Sequence, residues 1–286
     1  MVPTTGFLLR RLPLLFALLL HAEAPSEERR EVLIAHRGEH RRHPENTLSA
    51  IGGAVAAGVD YVEMDVRRSR DGVHVLMHDA TVDRTTDGHG RVSDLDWETL
   101  SKLTVRTTGP GGGPTDRIPR LESALQACKG RIRIYLDFKS GDIPAVAAMI
   151  RDAGMTGSVV VYDSPSKVAA WRGALPGVEF ILSIPAAART NRTGLESFVK
   201  RHRPKALDTA ADAAFVAECR RLGVENWPDA QRESEDPKWW SEVLSAGVQG
   251  FQTDHPAEAA RWLRERGPTA GPRPLPNRPA EPVPAR

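Results

Sequence analysis

The sequence predicts an α/β fold, a TIM (β/α)8 barrel with a β-hairpin and an insertion after the second strand. Three observations support this prediction: short apolar runs alternate with helical patterns, eight strand-like runs fit one parallel sheet, and titratable residues directly follow several of these runs. Alternation of strands and helices is typical of a parallel sheet covered by helices. The chain of 286 residues is long enough, since such a barrel usually takes about 250 residues.

Nine apolar runs have the length and composition of strands, which is one more than a barrel needs. They are residues 32–35, 61–66, 73–77, 132–138, 159–162, 178–182, 206–208, 224–227 and 250–253. Asp71-Gly72 separates the second run from the third, and such a pair between two extended runs is a strong hairpin signal. A parallel crossover needs a dozen or more residues, which this gap does not provide. We therefore expect residues 73–77 to pair antiparallel with the second strand, outside the barrel.

Helical patterns fill most of the gaps between the eight remaining strands. They cover residues 46–57, 121–128, 143–153, 165–174, 211–222, 239–246 and 257–266. A long insertion separates Asp79 from Pro119, with one short helix expected at 95–103. The alternative fold is an open doubly wound sheet, and the lack of a Gly-x-Gly-x-x-Gly turn after the first strand disfavours it.

The two ends of the chain differ in composition from the central residues 30–266, where we place the barrel domain. Arg10-Arg11 precede an apolar run that ends at Leu20, and small residues follow at Ala22 and Ala24. This run is too short to span a membrane and fits a signal peptide better than a buried first helix. We expect residues 1–24 to be a signal peptide, the protein to be secreted or periplasmic, and residues 267–286 to be a disordered Pro-rich tail.

The charge balance limits the kinds of partner. The chain has 39 basic and 37 acidic residues, a formal net charge of +2, and only 6% aromatic residues. Neither a basic surface nor a set of stacking rings is indicated, so a nucleic-acid partner is not expected. We expect a small-molecule substrate and no stable membrane span in the mature chain.

A pair of carboxylates in the second strand predicts an enzyme. Glu63 and Asp65 are two residues apart and therefore point to the same face of the strand. Two like charges so close repel each other unless a cation lies between them. His36 follows the first strand and His78 follows the hairpin strand. Residues that carry chemistry at the carboxyl ends of strands are typical of barrel enzymes.

A series of motifs in order resembles the glycerophosphodiester phosphodiesterase family, of the phospholipase-C-like TIM-barrel group. The motifs are His36-Arg37-Gly38, Pro44-Glu45-Asn46-Thr47, Glu63-Met64-Asp65, Asp71-Gly72, His78-Asp79 and Arg84-Thr85-Thr86-Asp87-Gly88. Most of the matching motifs lie within residues 32–125. Beyond them the resemblance is weaker, although Asp137-Phe138-Lys139 and residues 247–254 are still similar to the family's pattern.

The resemblance implies one divalent cation and one acid–base pair. The cation ligands are Glu63, Asp65 and Asp137; the family has a glutamate at the third position, one methylene longer than Asp137. Carboxylate oxygens suit hard cations, so Ca²⁺ or Mg²⁺ is expected. His36 and His78 match the family's acid–base pair, and imidazole can both activate a nucleophile and protonate a leaving alkoxide near neutral pH.

Two positive side chains and one loop add to the expected site. Arg37 offers a bidentate fork for phosphate oxygens, and Lys139 offers a further positive charge. Glu45, in the loop after the first strand, is expected either to face the site or to support it from behind. Asn46 is expected to cap the first helix.

We also predict where a tryptophan, the remaining histidines and the two cysteines lie in the fold. Trp227 ends the seventh barrel strand and either walls the substrate pocket or packs in the core. Other histidines, His40 and His74 among them, are expected on the surface or in loops. Cys128 and Cys219 should remain unpaired, because the strand count places their helices on opposite sides of the barrel.

The implied reaction is metal-dependent hydrolysis of glycerophosphodiesters to glycerol phosphate and an alcohol, by water or through attack of a neighbouring substrate hydroxyl. The alternative among enzymes is a lipid phosphodiesterase of the lysophospholipase D or sphingomyelinase D kind. The alternative outside enzymes is a non-catalytic binding or wall-associated protein that kept the barrel. Loss of the histidines or carboxylates would favour that last alternative, and all of them are present.

Overall fold

The computed structural model describes residues 31–107, 113–209, 212–232 and 234–266, and it confirms the predicted barrel. The expected signal peptide and the Pro-rich tail lie outside the described residues. The strands are β1 (Val32–Ala35), β2 (Tyr61–Arg68), β3 (His74–Leu76), β4 (Thr104–Arg106), β5 (Thr115–Arg117), β6 (Arg133–Phe138), β7 (Val159–Tyr162), β8 (Glu179–Leu182), β9 (Ala206–Leu207), β10 (Glu225–Asn226) and β11 (Gly250–Thr253).

Eight of these described strands form one parallel sheet that closes on itself. Neighbours follow the order β10-β9-β8-β7-β6-β2-β1-β11. The ring closes just beyond β10, where Asp229 lies opposite Gln252 in parallel register. There the Gln252 N–H donates to the Pro228 carbonyl at 3.0 Å, and the Ala230 N–H donates to the Gln252 carbonyl at 3.0 Å. All carboxyl ends of the barrel strands therefore meet at one mouth.

The hairpin after β2 is confirmed. β3 runs antiparallel to β2, with Arg68 opposite His74, and Gly72 takes a left-handed φ of 91° in the turn. His74 is only 1% exposed, and its Nε2 accepts a hydrogen bond from the Asp142 N–H at 3.1 Å. The expectation that His74 is a surface or loop histidine is therefore wrong, because β3 carries it against the loop that precedes a helix.

The helices follow the strands and, apart from a short one in the insertion, cover the outside of the barrel. They are α1 (Leu48–Ala57), α2 (Trp97–Leu100), α3 (Leu121–Cys128), α4 (Ile143–Asp152), α5 (Val168–Ala174), α6 (Ala186–Arg189), α7 (Arg192–His202), α8 (Ala213–Arg221), α9 (Pro237–Ser245) and α10 (Pro256–Glu265). Neither α6 nor α7 was predicted. α7 buries only Leu195 and Phe198, so its apolar stripe is too sparse to stand out from the polar sequence around it.

The insertion has a small core of its own. Val75, Val82, Leu100, Val105 and Ile118 are all buried in one cluster beside the barrel. β4 and β5 pair antiparallel within it, and only the middle of the expected helix at 95–103 is helical, as α2. The insertion is therefore a packed layer that fixes the chain on both sides of the hairpin.

The barrel interior changes character from one end to the other. Val32, Ile34, Tyr61, Ile181 and Trp227 belong to an apolar cluster that fills its interior. Further along the same strand faces, towards the carboxyl ends, the inward positions are occupied by carboxylates. Strand periodicity thus places a packed floor beneath a charged mouth.

The cysteines follow the prediction, and both Cys128 and Cys219 are buried and unpaired. Within the described residues, we find no helix with the length and apolar character needed to cross a membrane.

Candidate active site

Three carboxylates from adjacent strands converge at the mouth. Glu63 and Asp65 lie on β2, and Asp137 lies on β6 directly opposite Asp65. One oxygen of each lies within 4.8 Å of an oxygen of the other two. We call these residues the carboxylate trio. Glu63 is 3% exposed and Asp65 is 1% exposed, so water screens their repulsion poorly.

The carboxylate trio has the properties of a cation site. Burial, together with the charges of Asp65 and Asp137, raises the pKa of Glu63 well above its ordinary value. Burial likewise raises the pKa of Asp137 to about 6, although Lys139 acts against it. A cation among the oxygens would remove this penalty. The donor set is oxygen only, which fits a hard divalent ion.

Lys139 lies on the carboxylate trio. Its Nζ is 2.7 Å from Asp137 Oδ2 and 3.2 Å from Asp65 Oδ1. Although burial opposes the charged form, these two carboxylates raise the pKa of Lys139. The ammonium group is therefore a fixed positive charge beside the trio.

His36 is held by a carboxylate that directly follows the last strand of the barrel. Its Nδ1 lies 2.6 Å from Asp254 Oδ1, and His40 Nε2 lies 3.0 Å from the same oxygen. Burial opposes ionisation of Asp254, yet hydrogen bonds from His36 and His40 hold its pKa well below the usual range. Because an ionised carboxylate only accepts, His36 Nδ1 carries the proton and Nε2 of the neutral ring has a free lone pair. His40 lies in the loop after β1, as expected of a surface or loop histidine, and it is half-buried in this cluster.

Asp254 is itself held in place by Glu235, a residue that the sequence did not single out. Glu235 Oε1 accepts the Asp254 N–H at 2.9 Å, and its Oε2 accepts the Trp240 indole N–H at 3.1 Å and the Thr253 hydroxyl. Glu235 is 7% exposed in the loop before α9. No local pattern could have identified this role, because Thr253 and Asp254 lie 18 and 19 positions further along the chain.

His78 is held in the same way from the hairpin. Its Nδ1 lies 2.7 Å from Asp79 Oδ1, which again leaves Nε2 free. The His78 carbonyl accepts two hydrogen bonds from Arg67, at 2.9 and 2.7 Å. Hydrogen bonding from Arg84 and His78 holds the pKa of Asp79 well below the usual range. Both imidazoles thus have a carboxylate on Nδ1.

Glu45 supports the site from behind. Its two oxygens accept hydrogen bonds from Arg84 at 2.8 Å each, and Oε1 also accepts one from Arg37 Nη1 at 3.1 Å. Burial opposes its ionisation, but the Arg84 and Arg37 charges lower the pKa of Glu45 overall. Of the two expectations for Glu45, the structure shows the supporting position.

The loop after β1 also shapes the trio. Arg37 has a left-handed φ of 51°, and its N–H donates to Glu63 Oε2 at 2.7 Å. Asn46 has a φ of 57°, donates to Asp65 Oδ2 at 2.7 Å and accepts the Asp65 N–H at 3.0 Å. The cap of α1 is Thr47, whose Oγ1 accepts the Ala50 N–H. The prediction that Asn46 caps the helix is therefore wrong.

One cleft of about 300 Å³ lies at the barrel mouth. It is lined by His36, His78, Arg37, the carboxylate trio and Lys139. Trp227 is 1% exposed within the apolar floor and donates from its indole to Glu225 Oε2 at 2.7 Å. Of its two expected roles, Trp227 therefore packs in the core and does not wall the substrate pocket.

The arrangement combines groups that suit transfer chemistry at a phosphorus atom. Two imidazoles each offer a free Nε2 for proton transfer. Arg37 offers a guanidinium fork, and the carboxylate trio offers a place for a cation.

Comparison with known proteins identifies the family. A model of the glycerophosphoryl diester phosphodiesterase family matches residues 36–258. A glycerophosphodiester phosphodiesterase of Caldanaerobacter subterraneus is 27% identical over 252 residues, which cover 82% of this chain and 99% of the relative. A crystal structure of glycerophosphodiester phosphodiesterase from Agrobacterium tumefaciens is 25% identical, with a TM-score of 0.70 over 81% of this chain and 99% of that one.

A mammalian relative is more similar over a shorter stretch. Glycerophosphodiester phosphodiesterase 1 of Mus musculus is 44% identical over 119 residues, which are 41% of this chain and 36% of the relative. The matches span less than half of the length of the first curated relatives, between 36% and 44%. The family model, in contrast, matches most of the barrel, from His36 to beyond Asp254. The protein therefore belongs to the glycerophosphoryl diester phosphodiesterase family.

Proposed function

We propose that the protein hydrolyses glycerophosphodiesters to glycerol phosphate and an alcohol. The observation that carries this proposal is that His36 and His78, each bonded through Nδ1 to a carboxylate, line the same cleft as the carboxylate trio. Membership of the family and the extended match with a bacterial glycerophosphodiester phosphodiesterase support it.

The two histidines act as the acid–base pair. One imidazole takes the proton of the attacking hydroxyl, and the other protonates the departing alkoxide. Asp254 and Asp79 keep the Nε2 atoms of the two rings available for these transfers. The base accepts its proton on a free Nε2, whereas the acid carries a proton on Nε2, as an imidazolium beside its carboxylate, and gives it to the alkoxide.

Arg37 binds the phosphate oxygens, with Lys139 as a second positive charge, and the carboxylate trio holds one divalent cation, Ca²⁺ or Mg²⁺. When bound, this cation would polarise the phosphoryl group and stabilise negative charge. Glu45 fixes Arg37, and Asn46 fixes Asp65, so the phosphate and the cation are held against each other.

The test is a phosphodiesterase assay on chelated protein, repeated with Ca²⁺, Mg²⁺ and Mn²⁺, on glycerophosphocholine and on lysophosphatidylcholine. We expect metal-restored release of glycerol phosphate from glycerophosphocholine. His36→Ala and His78→Ala should each lower turnover about 10²–10⁴-fold. His89→Ala is the control, because that side chain is 88% exposed in the insertion. Wild-type turnover in either active-site variant would contradict the assignment, and hydrolysis of the lysolipid alone would favour the lipid phosphodiesterase.

We also propose that residues 1–24 direct export of the protein. The twin arginines, the short apolar run and the small residues at Ala22 and Ala24 support this. The amino-terminal sequence of protein recovered from periplasm or medium tests it. Recovery only from the cytoplasm, with Met1 retained, would contradict it.

A further inference from the structure

One side of the cleft consists of residues that the proposed reaction does not use. Asp208 directly follows β9, Asp229 lies just beyond β10, and Gln252 lies on β11; all three line the cleft. We call these three residues the acidic wall. In the order of strands around the ring, β9 and β10 lie across the barrel from β2 and β6, which carry the carboxylate trio. A substrate whose phosphate lies at the trio can therefore place one of its arms against the acidic wall.

The acidic wall offers two carboxylates with no basic partner. Asp208 and Asp229 are neighbours, since the Asp229 N–H donates to Asp208 Oδ1 at 3.3 Å. Gln252 donates its amide N–H to Asp229. Within the described ranges, neither aspartate forms an ion pair with a lysine or an arginine. Asp208 is half-buried and Asp229 is exposed, so both carboxylates are open to a ligand that enters the cleft.

Gln252 adds a buried acceptor that lacks a donor. The residue is 4% exposed, and its Oε1 has no hydrogen-bond partner among the described residues. A buried polar atom without a partner is uncommon and destabilising. A ligand that carries N–H or O–H groups into this side of the cleft would satisfy it.

Aromatic rings border the same space. Tyr135 and Tyr162 line the cleft with their ring centres 5.9 Å apart. The face of an aromatic ring attracts a cation, and an ammonium group with no N–H to donate is bound in this way. The rings and the acidic wall therefore favour the same kind of ligand group.

The charge of the whole cleft points in the same direction. Its lining includes five carboxylates, those of the trio, Asp208 and Asp229, against two permanent cations, Arg37 and Lys139. With all five ionised, one divalent cation would still leave one negative charge in excess, and the phosphodiester adds another. Burial and the charge of Asp229 raise the pKa of Asp208 to about 7, so a cationic group beside it would favour its ionised form. A neutral polyol arm could satisfy Gln252 Oε1 but would leave this excess in place. A positively charged arm with N–H groups would both donate to Gln252 Oε1 and neutralise part of the excess negative charge.

We propose that the acidic wall, with the two tyrosine rings, binds an ammonium or quaternary ammonium group on the alcohol arm of the phosphodiester. This inference rests on the proposed function, because it assigns the head group that the same cleft prefers.

The test measures preference in two independent ways. Hydrolysis is followed as kcat/KM for two cationic diesters, glycerophosphocholine and glycerophosphoethanolamine, and two polyol diesters, glycerophosphoglycerol and glycerophosphoinositol. Binding of the same four compounds is measured by calorimetry on the metal-loaded full chain carrying both His36→Ala and His78→Ala, which keeps the acidic wall. Asp208→Asn and Asp229→Asn are made separately in each background. Asp152→Asn is the control, since that side chain is 79% exposed on α4.

We expect the wild-type chain to prefer the cationic diesters, and each wall variant to lower that preference about 10-fold, the factor that corresponds to ~1.4 kcal/mol. Asp152→Asn should leave the preference unchanged. An equal loss on all four compounds, or an unchanged preference, would overturn the inference while the hydrolysis itself stands. If no diester is hydrolysed, the proposed function fails, and the binding preference still decides whether the acidic wall selects a cation.

Discussion

The hydrogen bond between Asp254 and His36 gives the most specific prediction about the site. Asp254→Asn keeps the size of the side chain and removes its charge. His36 and His40 now donate to one oxygen of an ionised carboxylate, at 2.6 and 3.0 Å. An amide oxygen can accept the same bonds only as a neutral group, and the amide nitrogen offers His36 no acceptor. The variant therefore weakens the contact that fixes which nitrogen of His36 carries the proton.

The size of the effect follows from the geometry. His36 and Asp254 are 20% and 26% exposed, so solvent screens their contact only in part. A hydrogen bond to a charged group contributes about 1.5–3 kcal/mol, and ~1.4 kcal/mol is a factor of ten. We expect kcat to fall about 10–150-fold, less than for His36→Ala, because the imidazole itself remains.

The assay is steady-state hydrolysis of glycerophosphocholine with the metal ion that restores activity. We expect kcat to fall and KM to change little, because Asp254 does not line the cleft in the described structure and acts through His36. His40→Ala is the matched control, since it removes the other ring on the same oxygen and should cost less. A folded Asp254→Asn protein with wild-type kcat would refute the reasoning.

Three further predictions concern the metal, the loop after β1 and the cysteines. Asp137→Glu should keep or raise metal affinity in a calorimetric titration, whereas Asp137→Asn should lower it at least about 10-fold. The same affinity in Asp137→Asn as in the wild type would show that Asp137 is not a ligand. Glu39 is 2% exposed, and neither of its carboxylate oxygens has a hydrogen-bond partner among the described residues. Burial raises its pKa above 4.5, so its ionisation costs stability as the pH rises past that value. Glu39→Gln should therefore raise the melting temperature by about 2–4 °C at pH 7, for a gain of ~1 kcal/mol, with no gain below pH 4; a gain independent of pH would contradict this origin. Burial raises the pKa of Cys128 to about 12 and that of Cys219 to about 11, so a thiol reagent at pH 8 should modify neither in native protein and both after unfolding; rapid reaction of the native chain would show that the helices expose them.

Much of the fold could be predicted because strands, helices and tight turns are local properties of the sequence. The apolar runs and the Asp71-Gly72 pair were sufficient for the barrel strands and the hairpin, since each depends on neighbours a few residues apart. α7 was missed for the same reason. It buries only Leu195 and Phe198, and its helical state depends on contacts with the barrel as well as on its own pattern.

The candidate site was predictable to the same extent. Glu63 and Asp65 share a face of β2 by strand periodicity alone, and His36 and His78 are marked by the strands that they follow. The sequence by itself thus determined the carboxylate pair of β2 and the two histidines at the barrel mouth.

Only the tertiary structure decided how those groups are held and what faces them. Asn46 resembles a helix cap, yet the pairing of β1 with β2 brings Asp65 within 2.7 Å of its amide, and Thr47 caps the helix instead. Asp254 reaches His36 across 218 positions of sequence, and the acidic wall faces the carboxylate trio only because the ring of strands closes. The physical reason is that closure and register set these distances, and neither leaves a signal in the residues on either side of one position.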